Sequence, residues 1–190
     1  NKVINNPYNK RQEVLAKKVQ RGEIRSKDGK VLAKTKTDST GKDTRIYPYD
    51  EIFAPVVGRI SNSMTGIEKQ QCYPLLTSHV NPLRQLTNTL KGEKNPGDSV
   101  ITTLDAKLQT IAYQALGNHK GAVVAIEPST GKVLAMVSKP SYDPNTVAKN
   151  WSSLIKDSND DSKLVNRATQ GLYPPGSTFK VLTAMEYMIE

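Results

Sequence analysis

The stretch GAVVAIEPSTGKVLAMVS, residues 121–138, limits the fold more than any other part of the chain. Two apolar runs flank a short polar segment containing Gly131, and a tight turn that needs positive φ is where glycine serves. The pattern predicts a β-hairpin. Its first strand is apolar almost throughout, as a strand covered on both faces requires, so helices are expected to pack on the sheet. Just before it, SVITTLDAKLQTIAYQALG reads as a strand and then a helix. Leu104, Leu108, Ile111, Ala112, Ala115 and Leu116 form its stripe, Thr103 or Asp105 caps its start, and Gly117 marks its exit. The expected fold class is α+β.

The same hairpin pattern occurs earlier. IRSKDGKVLA and IEPSTGKVLA share Ile, Gly, Lys, Val, Leu and Ala at matched positions. A single recurrence is no repeat array. One turn solution used twice explains it, with Gly29 and Gly131 at equivalent places.

Around the first hairpin the chain is less regular. Val14, Leu15 and Val19 among charges predict a short amphipathic helix within residues 9–20, ended by Gly22. Residues 35–45 are polar and read as a loop, Pro48 and Pro55 break regular structure, and Val56 with Val57 suits a short strand. NSMTGIEKQQCYPLLTS reads as a loop closing on a helix of about two turns after Gly66. Pro82 and residues 91–97 mark another irregular zone. The composition changes at about Gly97, which divides the chain into residues 1–96 and 97–190. WSSLIKDSNDDSK is expected to be a surface loop.

Composition narrows the function. The chain has 190 residues and a formal charge of +9, but its cations are scattered through the first hundred positions, so no nucleic-acid footprint is indicated. A basic solvated face results, suited outside a cell to an anionic membrane or wall polymer. Cys72, the single cysteine, cannot form an intrachain disulfide. No run approaches the roughly twenty apolar residues of a membrane span. His79 and His119 lie in loop-like contexts without a partner at ligand spacing, so neither a metal role nor a cofactor is assigned. Asp98 and Asp105 are read as charges at helix starts, and Trp151 as a packing or rim residue.

Ser-x-x-Lys occurs four times, at Ser39, Ser129, Ser153 and Ser177. Ser39 and Ser129 lie in STGK, where glycine indicates a turn, and Ser153 precedes a polar run. Ser177 differs. In YPPGSTFKVLTAMEYMI, two prolines and a glycine lead tightly into it, and Val181, Leu182, Ala184, Met185, Met188 and Ile189 make the following helix apolar on most sides. Such a helix is expected to be buried. Lys180 then lies one turn from the Ser177 hydroxyl, where burial favours an uncharged amine able to take a proton. The helix N-terminus offers N–H groups to a developing oxyanion. On spacing alone, nucleophile and plain N-cap stay equal readings.

YPPGSTFK resembles the active-site serine motif of penicillin-binding transpeptidases. RGEIRSKDGKVLA and VVGRISNSMTGIE are similar to the N-terminal region of the monofunctional, class B members. TLDAKLQ, GAVVAIEPSTGKVLAMVSKPSYDPN and NRATQGLYPPGSTFK match the start of the transpeptidase domain in order and spacing. The resemblance implies an elongated pedestal or dimerisation-type domain over residues 1–96, followed over 97–190 by the start of a serine β-lactamase-like transpeptidase domain. It implies Ser177 as nucleophile, Lys180 as proton acceptor and the Ser177 N–H as an oxyanion donor. Peptidoglycan stem peptides ending in D-alanyl-D-alanine and β-lactam antibiotics would be its substrates and inhibitors. Asn166 and Arg167 would brace the approach to the serine.

The family also uses Ser-x-Asn and Lys-Thr-Gly or Lys-Ser-Gly, and neither occurs in these residues. The expectation is an N-terminal fragment, inactive alone, whose partner is the C-terminal remainder of the domain. An N-terminal anchor at the outer face of a bacterial membrane, and glycosyltransferase, division or elongation proteins as partners, are further implications. A class D-like β-lactamase or sensor and a non-catalytic scaffold for wall synthesis are the alternatives.

Overall fold

The computed structural model describes residues 11–156 and 162–189. The chain begins with α1 (Arg11–Lys18), β1 (Val19–Gln20), β2 (Ile24–Arg25), β3 (Val31–Thr37) and β4 (Asp43–Ile46). Then come α2 (Ala54–Val57), α3 (Gly66–Gln70), α4 (Cys72–Leu75), α5 (Pro82–Leu90), β5 (Asn95–Pro96) and β6 (Val100–Ile101). The last part holds α6 (Ala106–Ala115), β7 (Gly121–Ile126), β8 (Val133–Lys139), α7 (Val147–Lys156), α8 (Arg167–Gln170) and α9 (Lys180–Tyr187). Helices and strands are mixed along the chain, as an α+β fold demands.

Both hairpins form. Gly29 (φ 78°) and Gly131 (φ 71°) occupy the left-handed conformation that the two turns need. β7 and β8 pair antiparallel, with Val123 opposite Val137. β2 lies between β3, which runs antiparallel to it, and β6, which runs parallel, in a sheet ordered β4-β3-β2-β6. The segment after β6 ties the hairpins together. Its Leu104 carbonyl accepts from Lys27 N–H at 2.8 Å, and Asp105 N–H donates to the Leu134 carbonyl at 2.8 Å.

Several local expectations are overturned. Residues 35–45 are not a loop: Thr35 faces Arg45 across the β3–β4 ladder, and only residues 38–42 turn, with Asp38 accepting from the N–H groups of Thr40 and Lys42. Val56 and Val57 end a helix rather than forming a strand, because Pro55 stands at its first turn, where a missing N–H costs nothing. Pro82 likewise starts α5, with the Asn81 side chain accepting from Leu83 N–H at 3.0 Å. Trp151 to Lys156 complete α7 instead of a loop, and residues 157–161 of that stretch lie outside the described residues, as do Asn9 and Lys10. β7 is not covered on both faces: Val124 and Ile126 are exposed, since α6 packs chiefly on β8.

The main core gathers Ile24, Leu32, Phe53, Val57, Leu75 and Leu104. A second cluster joins Ala54, Tyr142 and Val147, with Trp151, Leu154 and Leu164 against it. Trp151 thus packs, and its ring also lies 5.1 Å from the Arg59 guanidinium, which sits over Tyr142 as well. Asp105 caps α6 by accepting from Leu108 N–H at 2.9 Å. The face of α6 that meets the core carries Ala106 and Gln109, while Ile111 of the expected stripe is exposed.

Candidate active site

The approach to Ser177 is built on buried polar anchors. Asn166 caps α8 by accepting from Ala168 N–H, and its amide donates to the Pro55 carbonyl at 3.0 Å. Arg167 is buried, donates its side chain to the Ser162 carbonyl at 3.0 Å, and gives its N–H to the Ser138 hydroxyl at 3.0 Å. These contacts place Asn166 and Arg167 as braces between β8, α2 and the chain leading to the serine. A cavity of about 400 Å³ opens beside them, lined among others by Val56, Ile67, Met136 and Tyr142. Ser177 and Lys180 are not in its wall.

A 3₁₀ turn over Gly176–Phe179 runs directly into α9. The Thr178 hydroxyl donates back to the Pro175 carbonyl and tightens the turn. Side chains three apart eclipse in 3₁₀ geometry, so Ser177 and Lys180 share one face of a continuous helical segment. Among the described residues neither side chain has a hydrogen-bond or ion-pair partner.

The expected burial is not observed. Ser177, Lys180 and the residues of α9 through Ile189 are exposed, including Leu182 and Met188. The principal neighbour of α9 is the turn that precedes it. Apolar composition states what a helix can bury, and burial itself needs a partner surface. The desolvation invoked for Lys180 is therefore not supplied by these residues.

The other candidates resolve simply. Ser39 and Ser129 sit in turns, and Ser153 is an exposed residue of α7, a helix that does have a packed face at Val147, Trp151 and Leu154. His79, read as having no partner at ligand spacing, faces Asp98 from 19 positions away: Nδ1 lies 2.5 Å from Oδ2, and His79 N–H donates to Oδ1 at 3.2 Å. Asp98 thus serves a loop rather than a helix start. Among the described residues no group of His, Cys, Asp and Glu is arranged to hold a metal. Lys139 lies 3.8 Å from the Tyr113 ring centre and donates to the Gly117 carbonyl, while burial and a hydrogen bond to Glu51 push the Tyr113 phenol well up.

Sequence reasoning missed Gln109 and Asn145. Gln109 donates to the carbonyls of Ile52 and Met136 and accepts from Met136 N–H. Asn145 exchanges two hydrogen bonds with the backbone of Tyr47. A polar residue on the inner side of α6 was the one available signal for Gln109.

With this geometry in hand, the comparisons with known proteins are unambiguous. The penicillin binding protein A dimerisation domain matches residues 21–100, and the penicillin binding protein transpeptidase domain matches residues 121–188. Peptidoglycan D,D-transpeptidase PbpA of Mycobacterium tuberculosis is 41% identical over 182 residues, covering 86% of this chain and 36% of the relative. Peptidoglycan D,D-transpeptidase MrdA of Acinetobacter baumannii is 36% identical, covering 75% and 26%. The solved imipenem acyl-enzyme complex of M. tuberculosis penicillin-binding protein A superposes with a TM-score of 0.78 at 37% identity, over 90% of this chain and 43% of that one. Its penicillin G acyl-enzyme complex gives 0.75 at 38% identity, over 90% and 42%. The chain belongs to the penicillin-binding protein family. Within that family it comprises a dimerisation module and the N-terminal part of a transpeptidase domain. It spans about a third of the length of the mycobacterial relative (36%).

Proposed function

We propose that this chain is part of a peptidoglycan D,D-transpeptidase in which Ser177 is the nucleophile and Lys180 its base. The observation that carries the reading is the turn Gly176–Phe179 entering α9, which sets hydroxyl and amine on one face at the mouth of a helix. The mycobacterial relative solved as β-lactam acyl-enzymes supports it. We divide the chain into a pedestal at residues 1–96 and transpeptidase sequence at 97–190. We also place it at the outer face of a bacterial membrane, held by an N-terminal anchor, with wall-synthesis proteins as neighbours.

In this reading the Ser177 oxygen attacks the carbonyl carbon of the penultimate D-alanine while Lys180 takes the hydroxyl proton. Negative charge grows on the carbonyl oxygen, where the Ser177 N–H is one donor able to stabilise it. The C–N bond breaks, the terminal D-alanine leaves with the proton returned from Lys180, and an acyl-serine remains. The amine of a neighbouring stem peptide then attacks the acyl carbon and gives its proton to Lys180, which passes it to the Ser177 oxygen as the acyl C–O bond breaks and the new amide forms. A β-lactam acylates Ser177 by the same attack, but its leaving nitrogen stays tethered and the acyl-enzyme persists. Because α9 stands in water here, the proposed enzyme needs more protein over it, including the Ser-x-Asn and Lys-Thr-Gly or Lys-Ser-Gly elements.

The test is acylation kinetics on the protein at the length of its mycobacterial relatives. Lys180→Ala is expected to slow acylation by benzylpenicillin about 10³-fold, within the range of general-base catalysis. Lys180→Arg should not rescue it, since a guanidinium stays protonated. Acylation of Lys180→Ala at the unmodified rate would remove the lysine from the mechanism.

A further inference from the structure

α5 is an amphipathic helix packed the wrong way round for a soluble protein. Its half-buried residues are polar, namely Gln85 and Asn88, and they tie the helix to the segments on either side of it. Gln85 donates to the Val80 carbonyl and Asn88 to the Asn95 side chain. Leu83, Leu86 and Leu90 lie on the opposite side, at spacings of three and four, and are 75%, 59% and 80% exposed. The helix is firmly started, with Pro82 in its first turn and Asn81 as its cap, so this stripe is presented by a formed element.

The charges around the stripe are mostly positive, and exposed Glu93, just past the end of α5, is the one acid in residues 79–97. Residues 81–92 contain no acid, and the cations Arg84 and Lys91 have no ion-pair partner among the described residues. Asn95, to which Asn88 is bonded, pairs with Val19, the residue that follows Lys17 and Lys18 at the end of α1. Those two exposed lysines therefore lie at the same end of the described fold as α5. An apolar ridge rimmed by cations suits an anionic lipid surface, where leucines enter the acyl boundary and lysines meet headgroups. A second copy of the chain suits it poorly. Self-pairing would set these cations against their own kind, and three leucines offer far less than the roughly 800 Å² per partner of a stable interface.

We infer that α5 is a membrane-docking ridge that lays the pedestal against an anionic bilayer. The inference rests on the proposed placement at the membrane face. Vesicle binding and acylation are separate readouts, so a chain that binds vesicles without being acylated would overturn only the enzymatic reading, and the converse only this one.

The test is co-sedimentation of the chain with vesicles of phosphatidylglycerol and phosphatidylcholine, and with phosphatidylcholine alone. The chain should bind the anionic vesicles at least fivefold more strongly. L83S/L86S/L90S should lose that binding at least tenfold with an unchanged circular dichroism spectrum and melting point, and R84Q/K91Q should lose the anionic preference. V181S/L182S/M185S on the other exposed helix should bind as the unmodified chain does. If the leucine variant is unstable, Leu86→Cys carrying an environment-sensitive fluorophore replaces it, and a blue shift on anionic vesicles is expected. Absence of vesicle binding, retention of binding by the leucine variant, loss of it in the α9 variant, or an unshifted fluorophore would overturn the inference. So would leucine substitutions that only dissolve a dimer.

Discussion

Glu68 has no exposed surface, and its two carboxylate oxygens face two guanidiniums, Arg21 Nε at 2.6 Å and Arg45 Nε at 2.7 Å. Arg45 in turn donates to the Gly22 carbonyl at 2.7 Å and to the Thr35 hydroxyl. Removing the carboxylate strands buried positive charge, so Glu68→Gln is expected to cost about 3–5 kcal/mol in urea unfolding. A loss under about 1 kcal/mol would show that water reaches the pair, as it does for exposed ion pairs. Asp105 works differently. The Leu108 N–H, and then Lys27, hold its carboxyl below the usual carboxylate range, as Ser26 does for Asp28 and Thr40 for Asp38. Depressed values of this kind add stability above the unfolded value of about 3.9, and that stability is lost as pH falls below about 4. Asp105→Ala should cost about 1 kcal/mol at pH 7 through the lost cap and flatten part of the acid dependence, read as melting point against pH. The cap was legible because its bond spans three residues. The Glu68 network was not, because its partners stand 47 and 23 positions away in the chain.

At the scale of elements, the hairpins show what local chemistry fixes. A turn needing positive φ selects glycine at both Gly29 and Gly131, and the echo between the two segments is that shared requirement. Gly131→Ala places a Cβ in the left-handed region and should cost about 1–2 kcal/mol, although no neighbouring atom would be struck. Residues 35–37 and 43–45 escaped detection because their strand character comes from pairing with each other, and a polar ladder shows no hydrophobic alternation. α5 and α9 mark the opposite limit. The α9 stripe was read from the sequence and the α5 helix was missed behind Pro82, and a stripe does not reveal whether protein, lipid or water faces it.

For the whole molecule, polar side chains fasten the two regions together along residues 47–55. Asn145 holds the Tyr47 backbone, Gln109 the Ile52 carbonyl, the Ser141 hydroxyl the Glu51 carbonyl, and Asn166 the Pro55 carbonyl. Unfolding should thus be one cooperative transition, with calorimetric and van't Hoff enthalpies in agreement. Gln109→Ala leaves three part-buried backbone groups without that partner and should lower that single transition by about 1–3 kcal/mol without splitting it. Two resolved transitions would show that this belt does not couple the regions. None of these contacts was readable beforehand, since each joins a side chain to a backbone group distant in sequence. The serine motif was readable because its turn, its helix and its lysine fall within eight residues.

The central claim is that Ser177 carries the acyl group. Mass spectrometry with peptide mapping after exposure to benzylpenicillin, on the protein at the length of its mycobacterial relatives, tests it most directly. A single stable adduct on the peptide containing Ser177, absent from Ser177→Ala, is the expected result. An adduct on another residue, or none in the folded protein, would contradict it.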